Sequence, residues 1–254
     1  MAADYSVNRR HNVAILATAL LLALSVLAIP LAAREGAAQA DPLATQAIIL
    51  HQGVDTGDLE VFINGENVLD EFSYGEQSDW LDLEPGAAQL TFTADRAGFN
   101  YVVFDAVYPV PAGNLYYVVI TDALVLVGTL DTASVTEGNA RAQFLHASVD
   151  TPPIDVHVTG DGVDETVNIK YAGSTEAVEA AAGTYAVDLT LSDGGESLLS
   201  VPDLTLAAGM SYLVIAVGDP SSEDHPLELV TIETPVEVGT ATPVSATPAA
   251  TPVT

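Results

Sequence analysis

One six-residue pattern occurs twice in the chain. His51-Gln-Gly-Val54-Asp55-Thr56 returns as His146-Ala-Ser-Val149-Asp150-Thr151. Each copy then runs into an alternating segment that closes on glycine, Leu59-Glu-Val-Phe-Ile-Asn-Gly65 and Ile154-Asp-Val-His-Val-Thr-Gly160. A repeat of so long a period means two copies of one small folding unit placed in tandem. It sets an architecture, not an activity.

The alternation identifies the unit as β. Leu59, Val61 and Ile63 share one face of a strand, as do Ile154, Val156 and Val158, with Asp155 and His157 turned outward. Further strands are predicted at 89–93, 116–120, 124–127, 184–191, 212–217 and 227–232. Turn residues separate them, at Glu84-Pro-Gly86, Ala112-Gly113, Ala182-Gly183, Asp193-Gly-Gly195 and Ala208-Gly209. The Glu- and Ala-rich stretch Ser174 to Ala182 has helical composition. Its counterpart in copy one, Gly75-Glu-Gln-Ser-Asp-Trp-Leu, does not, so both read as connection plus strand. The expected fold is all-β, with two tandem antiparallel β-sandwich domains of immunoglobulin-like or transthyretin-like type.

The boundaries follow from composition. Residues 1–40 read as a signal peptide: Arg9 and Arg10 precede an apolar stretch from Val13 to Ile29, and Ala38-Gln-Ala40 offers a cleavage site. Retention of that stretch as an anchor is the alternative. Module one is expected over 41–130, a polar linker over 131–139 and module two over 140–233. The remainder, 234–254, repeats Thr-Pro with almost no charge and reads as a disordered spacer or stalk.

There is no cysteine, so each module must stand on its hydrophobic core. The chain carries 35 acids against 6 bases, a formal charge of −29. Such a surface repels nucleic acid and anionic membranes, which require clustered Lys or Arg. The expected place of action is secreted or cell-envelope, beyond the cytoplasm.

Several landmarks pair across the copies: the His-x-x-x-Asp turn, Tyr74-Gly75 with Tyr171-Ala172-Gly173, and Ala112-Gly113-x-x-Tyr116 with Ala208-Gly209-x-x-Tyr212. On these residues the chain resembles the secreted domain-of-unknown-function family DUF4397. Its members typically read His-Ala-Ser-Pro-Asp-Ala-Pro before a Val-Asp-Val-Tyr strand. Module two keeps His146-Ala147-Ser148, has Val149 in place of Pro, then Asp150, Thr151 and Pro152 and the strand Asp155-Val156-His157-Val158; module one is more divergent. The resemblance implies a secreted β-sandwich without an established activity.

The repeated pairs His51/Asp55 and His146/Asp150 are the obvious candidates for chemistry, since a carboxylate-held His is how a general base or metal ligand is oriented. Neither pair has a third partner in the sequence, and no Gly-x-Ser-x-Gly, His-Glu-x-x-His or phosphate-binding loop is present. The four residues are therefore read as a structural family motif, with Asp fixing the turn and His satisfying it or packing beside it. No cofactor is expected.

Two binding alternatives stand beside this. Asp55-Thr-Gly-Asp58-Leu-Glu60 and Asp161-Gly-Val-Asp164-Glu165 could supply oxygens to Ca²⁺, but neither has the spacing of a dedicated loop. Trp80, the only Trp, is either core or a sugar-stacking platform with Tyr74 or Tyr101. Tyr116 and Tyr212 read as packing residues whose hydroxyls bond backbone. The expected function is non-catalytic: a structural, adhesive or ligand-contacting surface protein with an extracellular or envelope partner. A carbohydrate- or calcium-dependent binding module is the alternative, and a hydrolase using either His a more distant one.

Overall fold

Alternation along the chain is realised as pairs of stacked sheets. The computed structural model describes residues 44–96, 99–192 and 195–239, all within one compact unit. The predicted signal peptide, the tail from 240 onward and the turn at Asp193-Gly194 lie outside those residues. Copy one contains β1 (Gln46–Gln52), β2 (Leu59–Ile63), β3 (Glu66–Phe72), β4 (Leu81–Asp82), β5 (Gly86–Arg96), β6 (Phe99–Val110), β7 (Leu115–Thr121) and β8 (Val125–Thr129). A short β9 (Val135–Thr136) follows. Copy two contains β10 (Asn139–His146), β11 (Ile154–Gly160), β12 (Val163–Ile169), β13 (Val178–Ala181), β14 (Gly183–Leu191), β15 (Ser197–Leu206), β16 (Met210–Val217) and β17 (Glu228–Pro235), and β18 (Val238–Gly239) closes the described chain.

Each copy folds as two four-stranded sheets of the same order. In copy one they are β4-β1-β7-β8 and β3-β2-β5-β6; in copy two, β13-β10-β16-β17 and β12-β11-β14-β15. The pairing is antiparallel, as expected, except at the centre of one sheet in each copy. There β1 runs parallel to β7 and β10 parallel to β16.

Those central strands explain the layering. Ala47, Ile49, Val118 and Ile120 face inward and join Leu59, Val61, Leu90 and Phe92 in the core of copy one. Val214 and Ala216 do the same beside Ile154, Val156, Val187 and Leu189 in copy two. The intervening residues are equally apolar, and buried strands on both faces read as such continuous runs. Their second faces meet each other. Ile48, Leu50, Leu115, Tyr117 and Val119 pack with Leu145, Ala147, Leu213, Ile215 and Val217 in a third cluster between the copies. The result is four sheets deep. Both copies offer the same face, as in a two-fold dimer written on one chain.

This third core changes the expected organisation. The modules share a buried layer rather than standing apart. The expected linker is partly folded: Val135 is buried, and β9 pairs with β18. Arg141 holds it through Asp131 at 3.3 Å, and the Ser211 hydroxyl donates to the Asp131 carbonyl at 2.6 Å. The expected tail also starts too early. Thr234 and Val236 are buried and β17 runs through Pro235, because those residues complete the sheet edge and the β9–β18 pair. Composition alone placed them in the Thr-Pro segment.

Trp80 is core-associated. It is half-buried against the inter-copy cluster, while Leu81 and Leu83 turn to the core of copy one. The segment 174–182 contains no helix and ends in strand β13.

Candidate functional site

Two buried histidines mark the same corner of each copy. His51 is the penultimate residue of β1 and His146 the last of β10, and both have zero exposure. Their main chains are clamped by the second landmark. The His51 N–H donates to the Glu76 carbonyl at 3.0 Å, and Gly75 N–H donates to the His51 carbonyl at 2.8 Å. His146 repeats both bonds with Gly173 and Ala172, at 3.0 and 2.8 Å. The clamping turn needs a left-handed residue, which Gly75 supplies at φ 80° and Ala172 adopts at φ 62°. The Tyr-Gly landmark is thus the partner of the His landmark.

The rings serve the turns. His51 Nε2–H donates to the Gly57 carbonyl at 2.9 Å, and its Nδ1 accepts from the Gly53 N–H at 3.2 Å. Thr56 Oγ1 lies 3.3 Å from the same Nε2 and donates to the Gly53 carbonyl. His146 Nε2–H donates to the Pro152 carbonyl at 3.2 Å, while its Nδ1 has no hydrogen-bond partner among the described residues. Burial holds both imidazoles below their ordinary pKa of 6.5, by disfavouring the charged form. Around His51 that effect is opposed by the Gly57 carbonyl and by Asp122, Asp58 and Glu76; around His146 it is opposed by backbone at Pro152 and Thr151.

The aspartates of the repeat do not meet the histidines. Asp55 and Asp150 are exposed, and their carboxylates make no hydrogen bond among the described residues. The turn-fixing carboxylate of copy one is Asp122, at the end of β7, which accepts from Val54 N–H at 3.1 Å and Asp55 N–H at 2.8 Å. In copy two the Ser148 hydroxyl donates to the Gly218 carbonyl at the end of β16, and Thr151 donates to Ser148. Asp122 lies far off in sequence and outside any repeated motif, so periodicity gave no signal for it.

The acidic loops considered for calcium are engaged one carboxylate at a time. Asp58 accepts from Ser73, Glu60 from Thr93 and Asn100, and Asp164 from His157 at 2.8 Å. Among the described residues no three His, Cys, Asp or Glu side chains converge as a metal set. The two tyrosines after Ala-Gly bond backbone as expected: Tyr116 Oη donates to the Pro111 carbonyl, and Tyr212 Oη accepts from Ala207 N–H.

The two corners abut. Tyr171 of copy two donates its hydroxyl to Thr121 Oγ1 of copy one at 2.9 Å, because Thr121's own hydrogen goes to the Leu124 carbonyl. Tyr74 of copy one meets the ring of His225 of copy two. Each landmark tyrosine therefore touches the opposite copy.

A family model described as "Domain of unknown function (DUF4397)" matches residues 45–157 and again 140–245. The chain belongs to the DUF4397 family. No curated protein matches it. Among solved structures, this DUF4397 chain is similar to a leucine-rich repeat protein from Bacteroides thetaiotaomicron at 16% identity and TM-score 0.20. That match covers 78% of this chain but only 27% of the other. Two candidate cell adhesion proteins, from Bacteroides uniformis and Bacteroides ovatus, match at 9% identity with TM-scores of 0.28 and 0.27. They cover 77% and 80% of this chain and 99% of each relative. At these scores the likenesses say nothing of what the DUF4397 chain does.

Proposed function

We propose that this DUF4397 chain is a non-catalytic module that acts beyond the cytoplasm through surface contact, in adhesion, matrix or ligand binding. The observation that carries this reading is that the two repeated histidines are taken up by the fold. His51 and His146 have zero exposure, and each spends its Nε2–H on a backbone carbonyl in its own turn. A general base or metal ligand must meet its substrate or ion. Neither ring has surface open to one.

The Arg9-Arg10 and apolar N-terminal pattern supports export, and the charge of −29 supports a well-solvated, exposed life. Among the described residues no helix is long and apolar enough to cross a membrane.

The test pairs a folding measurement with a contact measurement. His51→Ala with His146→Ala is expected to abolish the native circular-dichroism signature. A folded double variant that had lost a hydrolytic activity of the parent would overturn the reading. The intact chain is expected to bind saturably to at least one member of an immobilised panel of extracellular proteins and glycans, and to convert none.

A further inference from the structure

The two copies differ at one free edge. Among the described residues β6 is the last strand of the outer sheet of copy one and pairs with β5 alone, so from Val102 to Tyr108 its other side is a free strand edge. From Phe99 to Tyr108 it contains no proline and a single charge, Asp105. Its apolar residues lie open, with Phe99 78%, Val102 59% and Val107 65% exposed.

Beside its end, an apolar cavity of about 200 Å³ lies between β6 and β8, the free edges of the two sheets. Leu83, Leu90, Tyr108, Val110 and Val127 line it. Pro109 and Thr129 at its rim are exposed.

The same edge in copy two is blunted. β15 has Pro202 in mid-strand, where the register with β14 shifts, and Ser200 and Asp203 are exposed there. Proline and polar residues are how sheets protect an edge from pairing. One fold thus tolerates a protected edge in one copy and an open one in the other, so the open edge is not a requirement of the fold.

Charge selects the occupant. Asp105 Oδ1 accepts from Gln89 Nε2 at 2.8 Å and Thr91 Oγ1 at 3.2 Å, both neutral donors, which leaves its charge uncompensated midway along the edge. Glu60, two strands in, is likewise held by the neutral Thr93 and Asn100. A second copy would set −29 against −29 and Asp105 near its twin. A segment alternating apolar and basic residues would set a cation opposite Asp105 and apolar side chains beside the open apolar ones.

We propose that the β6 edge takes up an extended peptide of a partner protein by strand addition, with Lys or Arg opposite Asp105 and an apolar side chain entering the β6–β8 cavity. This rests on the contact reading above and names its partner class.

The probe is a short fluorescent peptide of alternating Val and Lys, titrated into the full chain. The control is the same peptide N-methylated at alternate residues, equal in charge but unable to form the ladder. Binding is expected to saturate and to weaken at least about tenfold on N-methylation, roughly 1.4 kcal/mol. Asp105→Lys, on an exposed position and checked for native circular dichroism, is expected to switch preference to a Val-Glu peptide. Equal binding of the N-methylated peptide would reduce the effect to bulk charge and overturn the proposal, as would unchanged preference in Asp105→Lys. If the peptide fails while the chain still binds a panel protein or glycan, the edge assignment falls and the contact reading stands; if neither binds, both fall.

Discussion

The ring of Tyr74 meets the ring of His225 edge-on, with centroids 4.4 Å apart, and the two residues belong to different copies of the repeat. Tyr171, the counterpart of Tyr74, also crosses, but by a hydroxyl bond to Thr121. One family landmark thus makes two contacts of different chemistry at equivalent corners. What the copies share is the direction of the contact. The loop after β16 is longer than that after β7, and it brings His225 to a place where copy one has nothing of that reach.

The crossing bond should be measurable. Tyr171→Phe is expected to cost about 1 kcal/mol, the usual net worth of a neutral hydrogen bond. Thr121→Val should cost more, since Thr121 Oγ1 also bonds both N–H and C=O of Leu124. Urea titration of the two single variants and the double variant should give a coupling near 0.5–1 kcal/mol. Strict additivity would mean that the bond does not join the copies.

Leu50 and Leu145 occupy equivalent positions in the shared layer, and each is buried. Either Leu→Ala change should cost about 2–5 kcal/mol through lost burial and a residual cavity. The expected signature is that each variant lowers the stability of the whole unit, read as a single shifted denaturation midpoint. A loss confined to the mutated copy would contradict the shared core.

Gly128 is a close-approach position. A Cβ built there would stand 2.3 Å from Tyr117 Oη, because the ring of Tyr117 crosses the β8 backbone. Gly128→Val should push Tyr117 out of the inter-copy layer and destabilise by about 1–3 kcal/mol or more. Pairing it with Tyr117→Ala should recover part of the clash cost, which a thermal melt of the single and double variants would show.

Acid should weaken the fold through His51 and His146. Both have folded-state pKa values below 6.5, so the unfolded chain binds protons more readily. Stability then rises with pH across that range and is lost as pH falls below about 6.5. Above about 7.5 these two residues should contribute no slope. Denaturation midpoints measured from pH 7.5 to 5.5 should fall for the parent chain. A folded variant with Gln at both positions should show a smaller fall over the same window.

Much of the fold was legible because half-buried strands announce themselves. Leu59, Val61 and Ile63 alternate in sequence and are buried as that alternation demands. The His corner and the Tyr-Gly corner were visible as landmarks, though their mutual clamp was not, since main-chain pairing across distant segments leaves no side-chain pattern. The apolar runs Ala47–Leu50 and Leu213–Val217 are buried on both faces, yet the first is not among the strands expected from the sequence and the second is expected only as a strand. They carried no mark of what the second face would meet, because Leu and Ile serve any core alike. Asp122 was invisible for a different reason. Its role as a cap is set by the parallel pairing of β7 with β1, and nothing local encodes that register. Thr234 to Gly239 were hidden by the composition of the segment that follows them.

The central claim is that the two copies of the repeat form one folding unit through a common inner layer. Urea unfolding of the chain tests it, followed at once by the fluorescence of Trp80, which packs against that layer from copy one, and by the far-ultraviolet circular dichroism of all strands. The expected result is one transition with coincident midpoints in both signals. A Trp80 transition separated from a second, spectroscopically distinct step would show that the copies fold apart, and would contradict the account.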